Sequence, residues 1–276
     1  MAPGLYVVAT PIGNLGDVTV RALDVLRNVD LVAAEDTRVT RGLLAHFGIS
    51  KRLTALHEHN ERVAGEKIAS LIAEGKAVAL VTDAGTPGVS DPGALLVRRV
   101  RDAGHAVVPI PGASALTAAL SASGLAFEGV VFAGFLPVRG KARRERLAEL
   151  AASPWAIALF ESPHRIVETL ADLGEALGER DLVIARELTK RFETIARVAL
   201  REAAEWVRTE PNRARGEFVL IIEARAIDSG AAADPRPLLE TLLAELPLKQ
   251  AVSLAARISG GKRNDLYALA LKMKKK

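Results

Sequence analysis

Apolar residues fall along this chain in short runs that alternate with stretches of helical spacing. Gly4–Thr10 (GLYVVAT) is closed by a Pro-Ile-Gly-Asn turn, which predicts a strand followed by a loop. Val20, Leu23 and Leu26 then repeat at helical spacing as far as Asn28. Asp30–Ala34 reads as a second strand and Thr37–Phe47 as a helix stopped by Gly48. A helix over Arg62–Ala73 precedes Ala77–Val81 (AVALV), a continuous apolar run of the kind buried on both faces of a sheet. A helix over Gly93–Ala103 and a strand over Ala106–Ile110 complete an alternation that predicts a mostly parallel sheet.

The pattern continues after a small-residue helix within Gly112–Ser123. Strands are expected at Val130–Phe135, Ala156–Phe160, Leu182–Ala185 and Glu217–Glu223, and helices at Lys141–Ala151, Ile166–Leu177 and Ala199–Val207. The fold class is therefore α/β, with two α/β domains (residues 1–111 and 112–225) and a cleft between them. Residues 226–236 are small, polar and Pro-containing and read as a linker. Residues 237–276 carry three apolar stripes at helical spacing, centred on Leu239, Val252 and Leu266, and resemble a small helix-turn-helix unit.

Composition narrows the class. With 276 residues, 49% apolar and 25% charged, the chain has the mix of a globular protein and not of a disordered one. Cysteine is absent, which excludes disulfides, thiolate metal sites and a Cys nucleophile. Ala103–Phe127 holds no Asp, Glu, Lys or Arg and is long enough to span a bilayer, but its Pro and Gly residues predict a buried strand, turn and helix. No signal peptide is expected at the N-terminus; the absence of cysteine fits an intracellular location, and a cytoplasmic protein without membrane attachment is expected. The net charge of +4 is uneven: residues 249–276 sum to +7 and the rest to −3. A basic tail on a slightly acidic body points to a polyanionic partner, unless the terminal lysines serve solubility alone.

Several familiar chemistries lack their motifs: there is no P-loop, no G-x-G-x-x-G after the first strand and no nucleophile elbow. His57 and His59 stand near Glu58 and Glu61, but a third clear ligand is missing and no metal is expected. Thr82–Gly93 (TDAGTPGVSDPG) follows the buried AVALV strand and is dense in Gly and Pro. Such a loop is tightly turned and sits where α/β sheets bind ligands, although a plain surface turn would use the same residues. Pro109–Ala115 ends a strand and opens a helix, so its backbone N–H groups can face a ligand, or its small side chains can serve packing. Thr10–Asp17 is a third turn of this kind. Polar clusters at Glu35-Asp36-Thr37-Arg38, Glu161–Arg165 and Arg186–Lys190 fit either helix starts or a functional cleft.

In chain order, VATPIGNLGDVTVRAL, AAEDTR, HEHNE, TDAGTPGVSDPG, PIPGASA, FESPHR and ARELTK resemble the bacterial 16S ribosomal RNA cytidine-2′-O-methyltransferases. These form a family within the tetrapyrrole methylase superfamily of S-adenosylmethionine-dependent enzymes. The resemblance spans the chain, tail included. It implies two α/β domains with the methyl donor in the cleft, a homodimer, and a target ribose in the decoding centre of 16S rRNA within the small subunit. Carried onto matching positions, it implies a donor site built from Pro11, Asp83, Ala84, Gly85, Thr86, Ser90, Ser114 and Ala115. Gly216-Glu217 match a family segment that closes over the cofactor.

The chemistry such a reaction needs is modest, because the sulfonium already activates the methyl group and the protein chiefly aligns the partners. A sugar hydroxyl must lose its proton, which calls for a base or for stabilisation of the developing charge. Glu35, Asp36, His59, Glu187 and Lys190 are the candidates; Lys190 acts as a base only with a lowered pKa and otherwise stabilises an alkoxide. Arg38, Arg165 and Arg186 suit phosphate or ribose, and Lys262 and Arg263 of the tail suit the RNA backbone. The competing readings are a tetrapyrrole- or protein-modifying member of the superfamily and a non-catalytic RNA-binding assembly factor.

Overall fold

A computed structural model of the chain describes residues 1–225 and 235–273. Residues 1–225 form one compact unit and the residues after them a second. The first unit holds two five-stranded sheets. Strands β1 (Gly4–Val8), β2 (Leu31–Ala34), β3 (Leu53–Ala55), β4 (Ala77–Val81) and β5 (Val107–Ile110) build the first, all parallel, in the order β3-β2-β4-β1-β5. Helices α1 (Val20–Asn28), α2 (Thr37–His46), α3 (Glu61–Ala73) and α4 (Ala94–Asp102) connect them.

The alternation along β4 explains why it is buried throughout. Ala77, Ala79 and Val81 join Val25, Leu26 and Leu44 of α1 and α2 in one core cluster. Val78 and Leu80 join Ile68, Ile72, Leu96 and Val100 of α3 and α4 in another. A parallel sheet covered on both faces reads as a continuous apolar run for this reason.

The second sheet runs β6-β7-β10-β8-β9, from β6 (Val130–Phe135), β7 (Ala156–Glu161), β8 (Asp181–Arg186), β9 (Thr194–Ala199) and β10 (Phe218–Ile222). Only β6 and β7 are parallel; β10 lies antiparallel to β7 and β8, and β9 antiparallel to β8. One face packs on α6 (Gly140–Ala151), α7 (Ile166–Leu177) and α8 (Ala203–Arg208). The other face receives α5 (Ala115–Ala122), whose Ala119 meets Val183, Ala185, Val219 and Ile221. Arg143 of α6 is buried between α6 and α7. It donates to Asp172 at 2.5 Å and also pairs with Glu168, so its charge is neutralised where water cannot reach it.

Two expectations need correction. The helix expected over Ala199–Val207 is a strand as far as Ala199, a single 3₁₀ turn, and a helix from Ala203. Thr194–Ala199 alternates half-buried and exposed positions along the sheet edge, the period of a strand. The short edge strand β3 was also not expected. The uncharged stretch Ala103–Phe127 divides into β5 and α5, and among the described residues no helix is long and apolar enough to cross a membrane.

In the second unit α9 (Arg236–Glu245), α10 (Leu248–Ser259) and α11 (Arg263–Met273) enclose a small core of Leu239, Val252, Ala255, Leu266 and Ala270. Gly260 ends α10 in the left-handed conformation, φ 68°, the usual glycine stop for a helix. Most of the expected linker, residues 226–234, lies outside the described residues, as do Lys274–Lys276.

Candidate functional site

The strand order of the first sheet brings the ends of β1, β4 and β5 side by side, so the three turns read from the sequence converge on one edge. Hydrogen bonds fasten them together. Thr10 and Gly85 form a two-way backbone bridge, N–H to O at 2.9 and 3.1 Å. The Thr10 hydroxyl donates to Thr82 O at 3.2 Å, and the Thr86 hydroxyl donates to Ala113 O at 3.2 Å. The turn after β2 is tied in as well, since Asp36 N–H donates to Asp83 Oδ1 at 3.0 Å. Gly85 has φ 77°, the region that L side chains avoid, and this lets the loop double back onto β1.

Beside these loops lies a cavity of about 330 Å3. Ala84, Gly85, Thr86, Ser90, Ser114 and Ala115 line it from the first sheet, and Phe135, Phe160, Ser162, Glu217 and Phe218 from the second. Ser114 stands at the N-cap of α5, where its carbonyl accepts from Ala118 N–H at 3.0 Å but its side chain accepts nothing, so the first turn of that helix has no side-chain cap. Pro11 and Asp83 do not line this cavity. They line a second one, of about 370 Å3, which shares Ile12, Ala84 and Glu217 with the first and includes Lys190. The nine donor-site candidates are thus divided between two adjoining cavities.

The candidate bases differ sharply in environment. Lys190 Nζ donates to Glu187 Oε1 at 2.9 Å and to Glu217 Oε2 at 2.7 Å. Burial draws its pKa down, but the bonds to Glu217 and Glu187 outweigh that and raise it. Lys190 is therefore held charged, which removes it as a base and leaves the charge-stabilising role. Glu187 is partly desolvated, yet Lys190 and the Glu217 N–H hold its pKa below the usual carboxylate range, so it is a weak proton acceptor. Glycine is required at 216: its φ is 91° and a Cβ there would lie 2.5 Å from Glu187 Cδ. Asp36 is a helix cap, accepting from Arg38 N at 2.8 Å, and its bonds to Arg38 hold its carboxyl at about 2. Glu35 is pushed up by burial and by the charges of Asp83 and Asp36, against a bond from Asp83 N–H. His59 is exposed and lines neither cavity. Glu61 is turned away from the histidines to cap α4, and among the described residues no cluster of three His, Asp or Glu could hold a metal.

Two of the arginines are engaged inside the protein. Arg186 donates to Asn212 O at 2.7 Å, Arg215 O at 3.0 Å and Phe192 O at 3.2 Å, and its Nε is buried. Arg165 donates to Leu136 O at 2.7 Å and pairs with Glu161. Both spend guanidinium N–H groups on holding loops together. Arg38, Lys262 and Arg263 are exposed.

Two features were missed in the sequence. Asp91 lines the first cavity, and its carboxyl is pushed up to about 6 by burial and then by the charge of Glu35. Ser90, Glu187 and Thr189 are the non-glycine residues with positive φ among those described; Ser90 lines the first cavity, and Glu187 and Thr189 flank Leu188, which also lines it. The second Asp of TDAGTPGVSDPG was a visible signal; the strain was not.

Residues 4–204 match the model of the tetrapyrrole (corrin/porphyrin) methylases, and residues 229–274 that of the RsmI C-terminal HTH domain. Ribosomal RNA small subunit methyltransferase I of Escherichia coli O157:H7 is 51% identical over 269 residues, covering 97% of this chain and 94% of that protein. Cobalt precorrin-4 methyltransferase CbiF superposes with a TM-score of 0.59 at 22% identity, over 79% of this chain and 94% of its own. Uroporphyrin-III C-methyl transferase from Thermus thermophilus, complexed with S-adenyl homocysteine, gives 0.56 at 19% identity, over 80% and 97%. At those identities the two structures speak for the fold, and the close relative speaks for the family. The chain belongs to the tetrapyrrole methylases, and within them to the ribosomal RNA small subunit methyltransferase I family.

Proposed function

We propose that the protein transfers a methyl group from S-adenosylmethionine to the 2′-oxygen of a cytidine ribose in 16S rRNA, at the decoding centre of the small ribosomal subunit. The observation that carries this is the 51% identity over 97% of the chain to a ribosomal RNA small subunit methyltransferase I. The cavities support it. About 330 Å3 falls within the range of small-molecule sites, roughly 300–1,000 Å3. Ala84, Gly85 and Ala115 leave room for a flat ring, and the uncapped start of α5 at Ser114 offers N–H groups to a carboxylate.

When bound, the donor supplies an electrophilic methyl group and needs no metal for it. Ala84, Gly85, Thr86, Ser90, Ser114 and Ala115 would hold it, with Glu217 at the opposite wall. Pro11 and Asp83 would contribute from the adjoining cavity, where the ribose enters. Lys190 lines that cavity and stabilises negative charge on the ribose oxygen as its proton passes to solvent and the oxygen takes the methyl group from the sulfonium, which leaves as the neutral thioether. Arg38, Lys262 and Arg263 attract the RNA backbone without reading its sequence. A homodimer and a cytoplasmic location accompany this reading, as the family resemblance implies.

The test is transfer of a tritiated methyl group to unmethylated small subunits, with nuclease digestion to find the labelled nucleoside. Label in 2′-O-methylcytidine is the expected result. Donor binding without label would redirect the reading to a tetrapyrrole or protein substrate, and absence of both would leave an assembly factor.

A further inference from the structure

Three carboxyl groups line the first cavity: Asp91, Glu161 and Glu217. Two are already matched by partners inside the protein. Glu161 accepts from the Thr169 hydroxyl at 2.7 Å and from Ser162 N–H at 2.7 Å, and pairs with Arg165. Glu217 accepts from Lys190 Nζ at 2.7 Å.

Asp91 differs. It precedes α4, yet that helix takes its cap from Glu61, whose Oε1 receives the N–H groups of Gly93, Leu95 and Leu96. Asp91 therefore has no duty at the helix start. Its carboxyl meets the Thr82 hydroxyl and otherwise faces like charge, Glu35 at the end of β2 and Asp83 after β4. His57 lies beyond Glu35, Asp36 is paired with Arg38, and Glu187 with Lys190. No Lys, Arg or His is among the described residues lining this cavity. The wall thus carries one half-buried acid that lacks a cation, beside a strained Ser90 with φ 65°.

We propose that Asp91 is the counter-ion for the sulfonium and ammonium end of the methyl donor, and that it gives the cavity its preference for the cationic sulfonium donor over an uncharged adenosine thioether. This rests on the donor reading above. An unmatched carboxylate in a partly desolvated wall gains most from a ligand that brings positive charge, and least from one that brings none.

The sign of the pH dependence follows. With its carboxyl at about 6, Asp91 carries a proton in much of the free protein below that pH, and the proton must leave before a cation is accommodated. Donor affinity is therefore full above that value and falls as the pH drops through it, by about tenfold between pH 7 and pH 5.

The experiment is calorimetric titration of the full chain with S-adenosylmethionine and with 5′-methylthioadenosine, which has the same nucleoside and no charged end. For the wild type the donor's affinity should rise about tenfold from pH 5 to pH 7, with release of roughly half a proton per site near pH 6, while the thioether stays flat. Asp91→Asn should weaken the donor about tenfold or more at pH 7, abolish its pH dependence and leave the thioether unchanged. A wild-type profile indifferent to pH, or equal loss of both ligands in the variant, would overturn the proposal while leaving the donor reading intact. Failure of the wild type to bind the donor at all would overturn both.

Discussion

Glu61 offers a sharp test of how the Thr82–Gly93 loop is held. It belongs to α3 but acts on α4, reaching 32 residues along the chain to accept from Gly93 N at 3.0 Å, Leu95 N at 2.9 Å and Leu96 N at 3.3 Å. Its side chain is 8% exposed, so water cannot readily replace it. A helix cap contributes about 1 kcal/mol, and a partly buried carboxylate at a helix N-terminus up to ~2 kcal/mol more. Glu61→Ala also leaves donors unsatisfied in a buried place. The expected loss is about 2–4 kcal/mol, read as a lower urea midpoint at unchanged slope. Glu61→Gln keeps an acceptor oxygen of the same reach and should lose only about 1 kcal/mol, the charge-dependent share. Because the cap anchors the end of the Thr82–Gly93 loop, donor affinity should fall in Glu61→Ala more than in Glu61→Gln. A Glu61→Ala protein within about 0.5 kcal/mol of the wild type, or a Gln variant as damaged as the Ala one, would refute the capping argument.

Other expectations follow from the same structure. Lys190→Met should lower kcat for methyl transfer by about 10²-fold or more in a tritium-transfer assay at saturating donor, the loss expected of a charge proposed to act at the reacting oxygen. Arg143→Met should destabilise the chain by about 1–3 kcal/mol in urea unfolding, because the partly buried Asp172 is left without its cation, and a joint Asp172→Leu change should recover part of it. Deleting residues 237–276 should weaken RNA binding and flatten its salt dependence in filter or fluorescence titrations, with donor binding intact, as the basic charge is concentrated there.

Local patterns disclosed elements whose burial is governed by nearest neighbours. Ala77–Val81 and Ile166–Leu177 occupy the bounds read from periodicity because one is covered on both faces and the other on a single apolar stripe. Thr194–Ala199 was not recognised, since an edge strand keeps one row in solvent and its short alternation is weak beside the helix that follows. The antiparallel order of β7, β10 and β8 was not legible, because it is set by pairing across the chain. The loops after β1, β4 and β5 stand out through their Gly and Pro content. The roles of single side chains do not. Arg165 and Arg186 look like phosphate ligands until the carbonyls they serve are seen.

The order of the first sheet has a consequence for synthesis. β1 lies between β4 and β5 and pairs with no other strand, so its earliest partner, Ala77–Val81, emerges some seventy residues later. At ~5–20 residues per second the apolar Leu5–Val8 segment waits on the order of 4–15 s for a neighbour. During that time β2 and β3 can pair with each other, but the edge that β4 will fill stays open. The newborn chain therefore passes through a stage with an unpaired apolar segment and an incomplete sheet, and the loops after β1, β4 and β5 come together only after that gap closes.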